Sequence, residues 1–362
     1  WIIDIGSTAA MVSFAETTCV MGYPADEAEN CHIAQKEIPD GSNEEKDTGS
    51  RKESTTQRAS SMSASYRFAL DDASAWRKHL HEEGYVVLSE AMTPKEVRTG
   101  KDLLWTDLEA AHHGLSRNDS TTWKNWRLSP TGLDTSVVQD PGAWYVRACP
   151  GVKRAFEEFW ETPELIVSMD AVILWRPWWI KSSWKPVTEG LHLDQNPFHK
   201  PDLETIQGMV PLLPVSTVTG GLQVIPRSHT EAAKTALKED FPHLATCGDW
   251  CPLMSSHESA VLLLAEPGDL ILWDSRTIHG GHVGTGAAEA NDELARMSVT
   301  VCMVPRSRAT TEVLEARRQG FLMGKIFNHA PHEAGSSTGT LRSRSRKRHC
   351  LEELTAAQQA LL

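Results

Sequence analysis

From Ala171 onward the apolar residues of this chain come in short runs, and most of the gaps between them are too short to hold a helix. Eight such runs follow one another, at 171–175, 191–194, 206–213, 221–225, 260–265, 269–273, 277–279 and 297–304, punctuated by Gly and Pro. Parallel strands need a crossover of about a dozen residues or more between neighbours. Short, mostly closely spaced runs therefore predict antiparallel pairing. The fold class expected is mainly β with flanking helices, a double-stranded β-helix barrel of the jelly-roll or cupin type.

Ahead of these runs the period is helical. Asp71 or Asp72 can cap a helix in which Trp76, His79 and Leu80 share a face, and Gly84 can end it. A strand is predicted over 85–88. Thr93-Pro94-Lys95-Glu96 is a capping box with Pro at the first helical position, and Val97, Leu104 and Leu108 give that helix its apolar face. A third helix is predicted over 150–160. Thirteen tryptophans against four tyrosines, many of them between Trp76 and Trp184, point to a broad apolar layer, with core packing the role of most.

Both ends read differently. Residues 1–65 carry no sustained period, and Ser, Thr, Glu, Lys and Gly dominate from Asp40 on, so a flexible tail is expected there. Residues 333–362 read as a polar and basic C-terminal tail, with the run 342–348 as a nuclear address or phosphate-binding patch in the stronger interpretation and a solvated tail in the plainer one. One domain over 66–332 lies between. The balance of 36 Lys and Arg against 48 Asp and Glu, a net −12, opposes a general role on nucleic acid. No run approaches the length of a membrane-spanning helix. Seven scattered cysteines without a CxxC pair argue against zinc and fit an intracellular, cytoplasmic protein. The chain starts with Trp, so its N-terminus can be incomplete.

Chemistry concentrates in four places. His192 and Asp194 are two apart in a predicted strand, so their side chains point to one face. His279 closes the run Leu272 to Gly280, and Arg296 and Ser298 are again two apart on the next strand. Two histidines and a carboxylate are the ligand set of a non-heme Fe(II) site with open positions. An arginine leading a buried strand is costly unless paired, and a guanidinium is the planar fork that best holds a ligand carboxylate. The alternative is a salt bridge from Arg296 to Glu293 or Asp292. His282, three residues beyond His279, is a rival ligand set aside because it follows the Gly280-Gly281 turn.

The segments Leu191 to Pro197, Gly220 to His229, Pro267 to Gly280 and the Arg296-x-Ser298 strand together resemble the phytanoyl-CoA dioxygenase-like branch of the Fe(II)/2-oxoglutarate oxygenases, over about 75–332. The resemblance implies that His192, Asp194 and His279 hold iron, and that Arg296, with Ser298, holds the far carboxylate of 2-oxoglutarate. It implies Fe(II), 2-oxoglutarate and O2 as cofactor and cosubstrates, and hydroxylation of a small-molecule substrate with release of succinate and CO2. An intact Asp194 argues against halogenation. The seventeen-residue step from His279 to Arg296 exceeds the family's usual spacing, and residues 284–292 read as a polar insertion. Trp175, Asn196, Gln223 and Arg276 are candidate substrate residues, with Gln195 and Trp273 nearby; Arg276 can instead orient Asp274, and ordinary packing or a structural hydrogen bond is the competing role for each. His229 reads as structural, and His329 as closing the cavity from outside. The competing functions are a non-catalytic jelly-roll module binding metal or ligand and an oxygenase acting on a macromolecule.

Overall fold

The computed structural model describes residues 66–253, 259–287, 293–333 and 348–362. The N-terminal tail and most of the basic run lie outside them. Seven helices occur among the described residues: α1 (Ala73–Glu83), α2 (Pro94–Ala111), α3 (Pro141–Arg147), α4 (Pro150–Trp160), α5 (Glu231–Asp240), α6 (Thr311–Leu322) and α7 (Ala356–Leu361). The strands are β1 (Arg67–Ala69), β2 (Tyr85–Ser89), β3 (Leu133–Asp134), β4 (Leu165–Val167), β5 (Val172–Trp175), β6 (His192–Leu193), β7 (Ile206–Pro211), β8 (Gly220–Val224), β9 (Cys251–Pro252), β10 (Val261–Leu262), β11 (Leu270–Asp274), β12 (His279–Val283), β13 (Arg296–Thr300) and β14 (Met303–Pro305).

Local signals set the helix ends. The Asp72 side chain accepts from Ala75 N, and Gly84 ends α1 in the left-handed region at φ 83°. A Cβ at Gly84 would stand 2.5 Å from the His229 ring and 2.6 Å from the Thr277 hydroxyl, so only glycine fits that turn. The Thr93–Glu96 capping box forms as expected, a device that stabilises a helix end by about 1 kcal/mol.

The strands build two sheets. The larger has nine strands and runs β1-β2-β11-β7-β13-β5-β3, with β14 pairing β4 and β7; the smaller has five and runs β10-β8-β12-β6-β9. Among the described residues only β1–β2 is parallel. Antiparallel pairing therefore dominates, as the short gaps require. Strands β11 and β13 of the large sheet are buried on both faces. Leu270, Leu272, Met297 and Val299 point to one side, into a core shared with Trp76, Trp105, Trp123, Trp144 and Phe156 of the helical layer. Each such aromatic removes roughly 200 Å² from water. Ile271 and Trp273 point to the other side and meet Leu222 and Val224 of the small sheet.

Two expectations need correction. The end of the chain is not a polar tail throughout. Leu361 is buried, and the buried guanidinium of Arg317 on α6 donates to the carbonyls of Leu361 and Leu362, so apolar burial orders residues that composition alone reads as solvated. The run 260–265 contributes only Val261–Leu262 as a strand. Strands as short as β1, β3, β4 and β9 went unpredicted, because two or three residues carry no period of their own, and the single run 297–304 divides into β13 and β14.

Candidate metal centre

His192 on β6 and His279 on β12 are direct cross-strand partners. Their ring centroids stand 4.6 Å apart. Asp194 follows His192 by two residues and turns to the same side. His192 Nε2 lies 3.8 Å from Asp194 Oδ1, and His279 Nε2 lies 3.3 Å from Asp194 Oδ2. One donor atom from each of the three lies within 4.8 Å of the others, so this group could hold a metal ion. β6 ends at Leu193, and Asp194 just beyond it still turns to the side of His192 while Leu193 joins a separate cluster with Leu237, Leu244 and Leu253.

The outer ring nitrogens are occupied. His192 Nδ1 is 3.0 Å from the Gly190 carbonyl, and His279 Nδ1 is 2.9 Å from the Thr277 carbonyl. A carbonyl only accepts, so each Nδ1 carries the proton and each Nε2 presents a lone pair to the centre. Burial first, and the neighbouring His279 second, depress the His192 imidazole to about 4, so it is neutral at ordinary pH. Burial alone would raise the Asp194 carboxyl; the imidazoles of His329, His279 and His192 outweigh it and hold the group well below the usual carboxylate range. Gln207 Nε2 on β7 donates to Asp194 Oδ2 at 3.1 Å and fixes the carboxylate's rotation. His329 Nδ1 approaches the same oxygen at 3.7 Å.

The centre opens on a cavity of about 850 Å³ lined by residues of both sheets, among them Trp175, Gln207, Trp273 and Arg296. Arg296 is 4 % exposed, and its guanidinium lies 4.6 Å over the Trp175 ring. Its Nη2 points at the Met209 thioether at 2.9 Å, its Nε has no partner, and burial lowers it to about 10. The salt bridge that sequence offered as an alternative does not form to Glu293, which pairs instead with Lys101 at 2.9 Å; Asp292 lies outside the described residues. A guanidinium this deep with no acid beside it is unstable alone.

The family model for phytanoyl-CoA dioxygenase matches residues 80–288. The chain belongs to the phytanoyl-CoA dioxygenase family. It is a 2-oxoglutarate-dependent oxygenase, with Fe(II), 2-oxoglutarate and O2 as cofactor and cosubstrates. A curated relative, Ava biosynthesis cluster protein O of Aspergillus versicolor, is 28 % identical over 281 residues, covering 71 % of this chain and 86 % of its own length. Among solved structures, the epimerase SnoN in complex with Fe3+, alpha ketoglutarate and nogalamycin RO is 17 % identical, with 65 % of this chain and 84 % of that one covered at a TM-score of 0.43. EvdO2 of Micromonospora carbonacea var. aurantiaca, complexed with 2-oxoglutarate, is 18 % identical, with 63 % and 89 % covered at a TM-score of 0.40.

The remaining candidates of this family member separate. Trp175 and Trp273 line the cavity. Asn196 does not: it is fully buried, donates to the Leu244 and Gly248 carbonyls and accepts from Phe198 N, which makes it a loop brace. Arg276 is held by both oxygens of Asp274, outside the lining. Gln223 turns to the Gly281 carbonyl at 3.4 Å and lies outside it too. Gln195 lines the cavity, yet its amide donates to Lys200 O and accepts from Glu204 N. Ser298 is buried with no partner for its hydroxyl and is not among the lining residues. His282 is exposed, as a residue three positions from His279 in a strand must be when His279 faces in. His229 reaches the His81 carbonyl at 2.9 Å, a structural contact. Gln207 was missed. Its signal was a lone amide inside the apolar run 206–213.

Proposed function

We propose that this chain hydroxylates a small molecule at the centre just described, with His192, Asp194 and His279 as the iron ligands and Arg296 as the anchor for the far carboxylate of 2-oxoglutarate. The observation that carries the assignment is the pairing, on the walls of one cavity, of a His-Asp-His cluster with a buried guanidinium that has no acid partner among the described residues. Two imidazoles and a carboxylate suit Fe(II), and they leave coordination positions free. The bound iron and cosubstrate supply the oxidising power, with succinate and CO2 released.

The residues do the rest. The Gly190 and Thr277 carbonyls keep both Nε2 lone pairs inward. Gln207 holds Asp194 so that one oxygen is tied and the other is free to ligate. Arg296 offers a two-pronged donor stacked on Trp175, a geometry that selects a planar carboxylate. The Ser298 hydroxyl is buried and unpaired two residues along the same strand, but it lies outside the cavity lining, so Arg296 alone is assigned the cosubstrate carboxylate. The two facing sheets read as the double-stranded β-helix of the oxygenase domain, over 66–332, with the site between them.

Purified protein given Fe(II), ascorbate and 2-oxoglutarate should form succinate even without substrate. His192→Ala should cut that formation by about a thousandfold, a loss of the size expected when a group essential to the chemistry is removed, while circular dichroism stays that of the parent. Turnover equal to the parent's would overturn the ligand assignment.

A further inference from the structure

The cavity carries more acid than the iron and cosubstrate account for. Six carboxylates line it, Asp170, Glu189, Asp194, Glu204, Asp249 and Glu333, against two permanent cations, Lys200 and Arg296. Four of the six have partners. Asp194 belongs to the metal centre, Lys200 bonds both Asp249 and Glu333, and Glu204 accepts from His332 at 3.2 Å. Arg296 is committed to 2-oxoglutarate on the reading above. Asp170 and Glu189 remain, with no hydrogen bond or ion pair among the described residues.

We infer that the substrate is an organic cation, a protonated amine or guanidine, seated against the carboxylates of Asp170 and Glu189. Glu189 lines the cavity and is exposed, so it is accessible to an incoming ligand. Asp170 is half-buried deeper in; burial pushes it up to about 6, with Asp194 and Glu189 opposing its charge and His329 and Arg147 only partly compensating. Arg147 does not line the cavity and spends a donor on the Val138 carbonyl. A second observation points to a ligand independently. The Trp273 ring lines the cavity 5.2 Å from the His279 ring and is 4 % exposed, and its Nε1–H has no acceptor, so it calls for an acceptor atom on the uncharged part of the ligand. Trp250, 51 % exposed, stands 6.2 Å from the His192 ring and gives the mouth an aromatic face of the kind that attracts cations. The same charge distribution disfavours an acyl-CoA, whose phosphates would meet Glu189, Asp249 and Glu333.

This rests on the oxygenase reading, and the test separates the two. Phenethylamine, 2-phenylethanol, 3-phenylpropionate and free coenzyme A are titrated anaerobically into protein holding Fe(II) and 2-oxoglutarate, with tryptophan fluorescence as the readout. The amine should bind at least about tenfold more tightly than its neutral and anionic counterparts, the scale of one desolvated ion pair. The double variant D170N/E189Q should lose that preference while binding 2-phenylethanol as the parent does. E189Q alone, at an exposed position that folding tolerates, should lose about threefold. Equal binding of the three phenyl probes, tight coenzyme A binding, no amine binding, or a preference that survives in the double variant would overturn the proposal. Succinate formation by the parent without any probe distinguishes the failures. If it is absent, the oxygenase reading falls; if it is present without amine preference, only the substrate class falls.

Discussion

Arg317 and Arg296 are both buried guanidiniums, and the protein treats them in opposite ways. Arg317 donates to the carbonyls of Val167, Pro331, Leu361 and Leu362, tying α6, β4 and the end of the chain together. Arg296 has a thioether, a ring face and an Nε with no partner. Burial depresses both, to about 9 and about 10. The first charge is solvated by backbone, so it is structural. The second is left short of acceptors, and its position on the cavity wall makes a ligand carboxylate its natural complement.

The contrast is sharpest in stability. Arg317→Met should destabilise the protein by about 3–5 kcal/mol, because four carbonyls lose their donor in a buried place. Chemical denaturation measures this, and a change under about 1 kcal/mol would erase the distinction. Arg296→Met should leave unfolding in the absence of ligands unchanged or slightly harder, since an unpaired buried charge is removed. The same variant should raise the KM for 2-oxoglutarate about a hundredfold, close to 3 kcal/mol, and lose the thermal shift that 2-oxoglutarate gives the parent. A destabilised variant that keeps its KM would reverse the assignment.

The histidine side of the cavity predicts a pH effect. His192 is near 4 folded and about 6.5 unfolded. The unfolded chain therefore takes the proton first, so metal-free stability is intact above about 6.5 and falls as pH drops toward 4. The loss is at most about 3 kcal/mol for this group. Urea midpoints across that window should fall in the parent and fall less in His192→Gln; parallel slopes would contradict the depressed imidazole. The smallest effect is expected at Gln207→Leu. Losing the contact to Asp194 should weaken Fe(II) binding about tenfold, in the lower range for groups that orient a metal ligand, with the far-ultraviolet spectrum unchanged.

How much of this was legible varies residue by residue. His192 and Asp194 were readable as a pair because a strand's two-residue period is a local property. Arg296 was readable as a charge out of place in an apolar run. Asn196 and Gln223 lie outside the cavity lining although they are close in sequence to the candidate ligands or the Gly-rich strand, while Arg276 takes its alternative role of holding Asp274. Nearness along a chain says nothing about which side of a loop an amide faces, and here Asn196 turns to the Leu244 carbonyl. Gln207 and His329 reach Asp194 from thirteen and more than a hundred residues away, distances over which no periodicity carries information.

The sequence by itself determined the antiparallel β layer, its helical backing and the candidate set of His192, Asp194 and His279, since period, capping and donor chemistry are written in neighbouring residues. Only the tertiary structure decided that His192 and His279 lie in register, that Glu293 goes to Lys101 and leaves Arg296 without an acid partner among the described residues, and that the last residues of the chain are buried. Those outcomes depend on which strands pair and which surfaces meet, and long-range packing energies settle that choice.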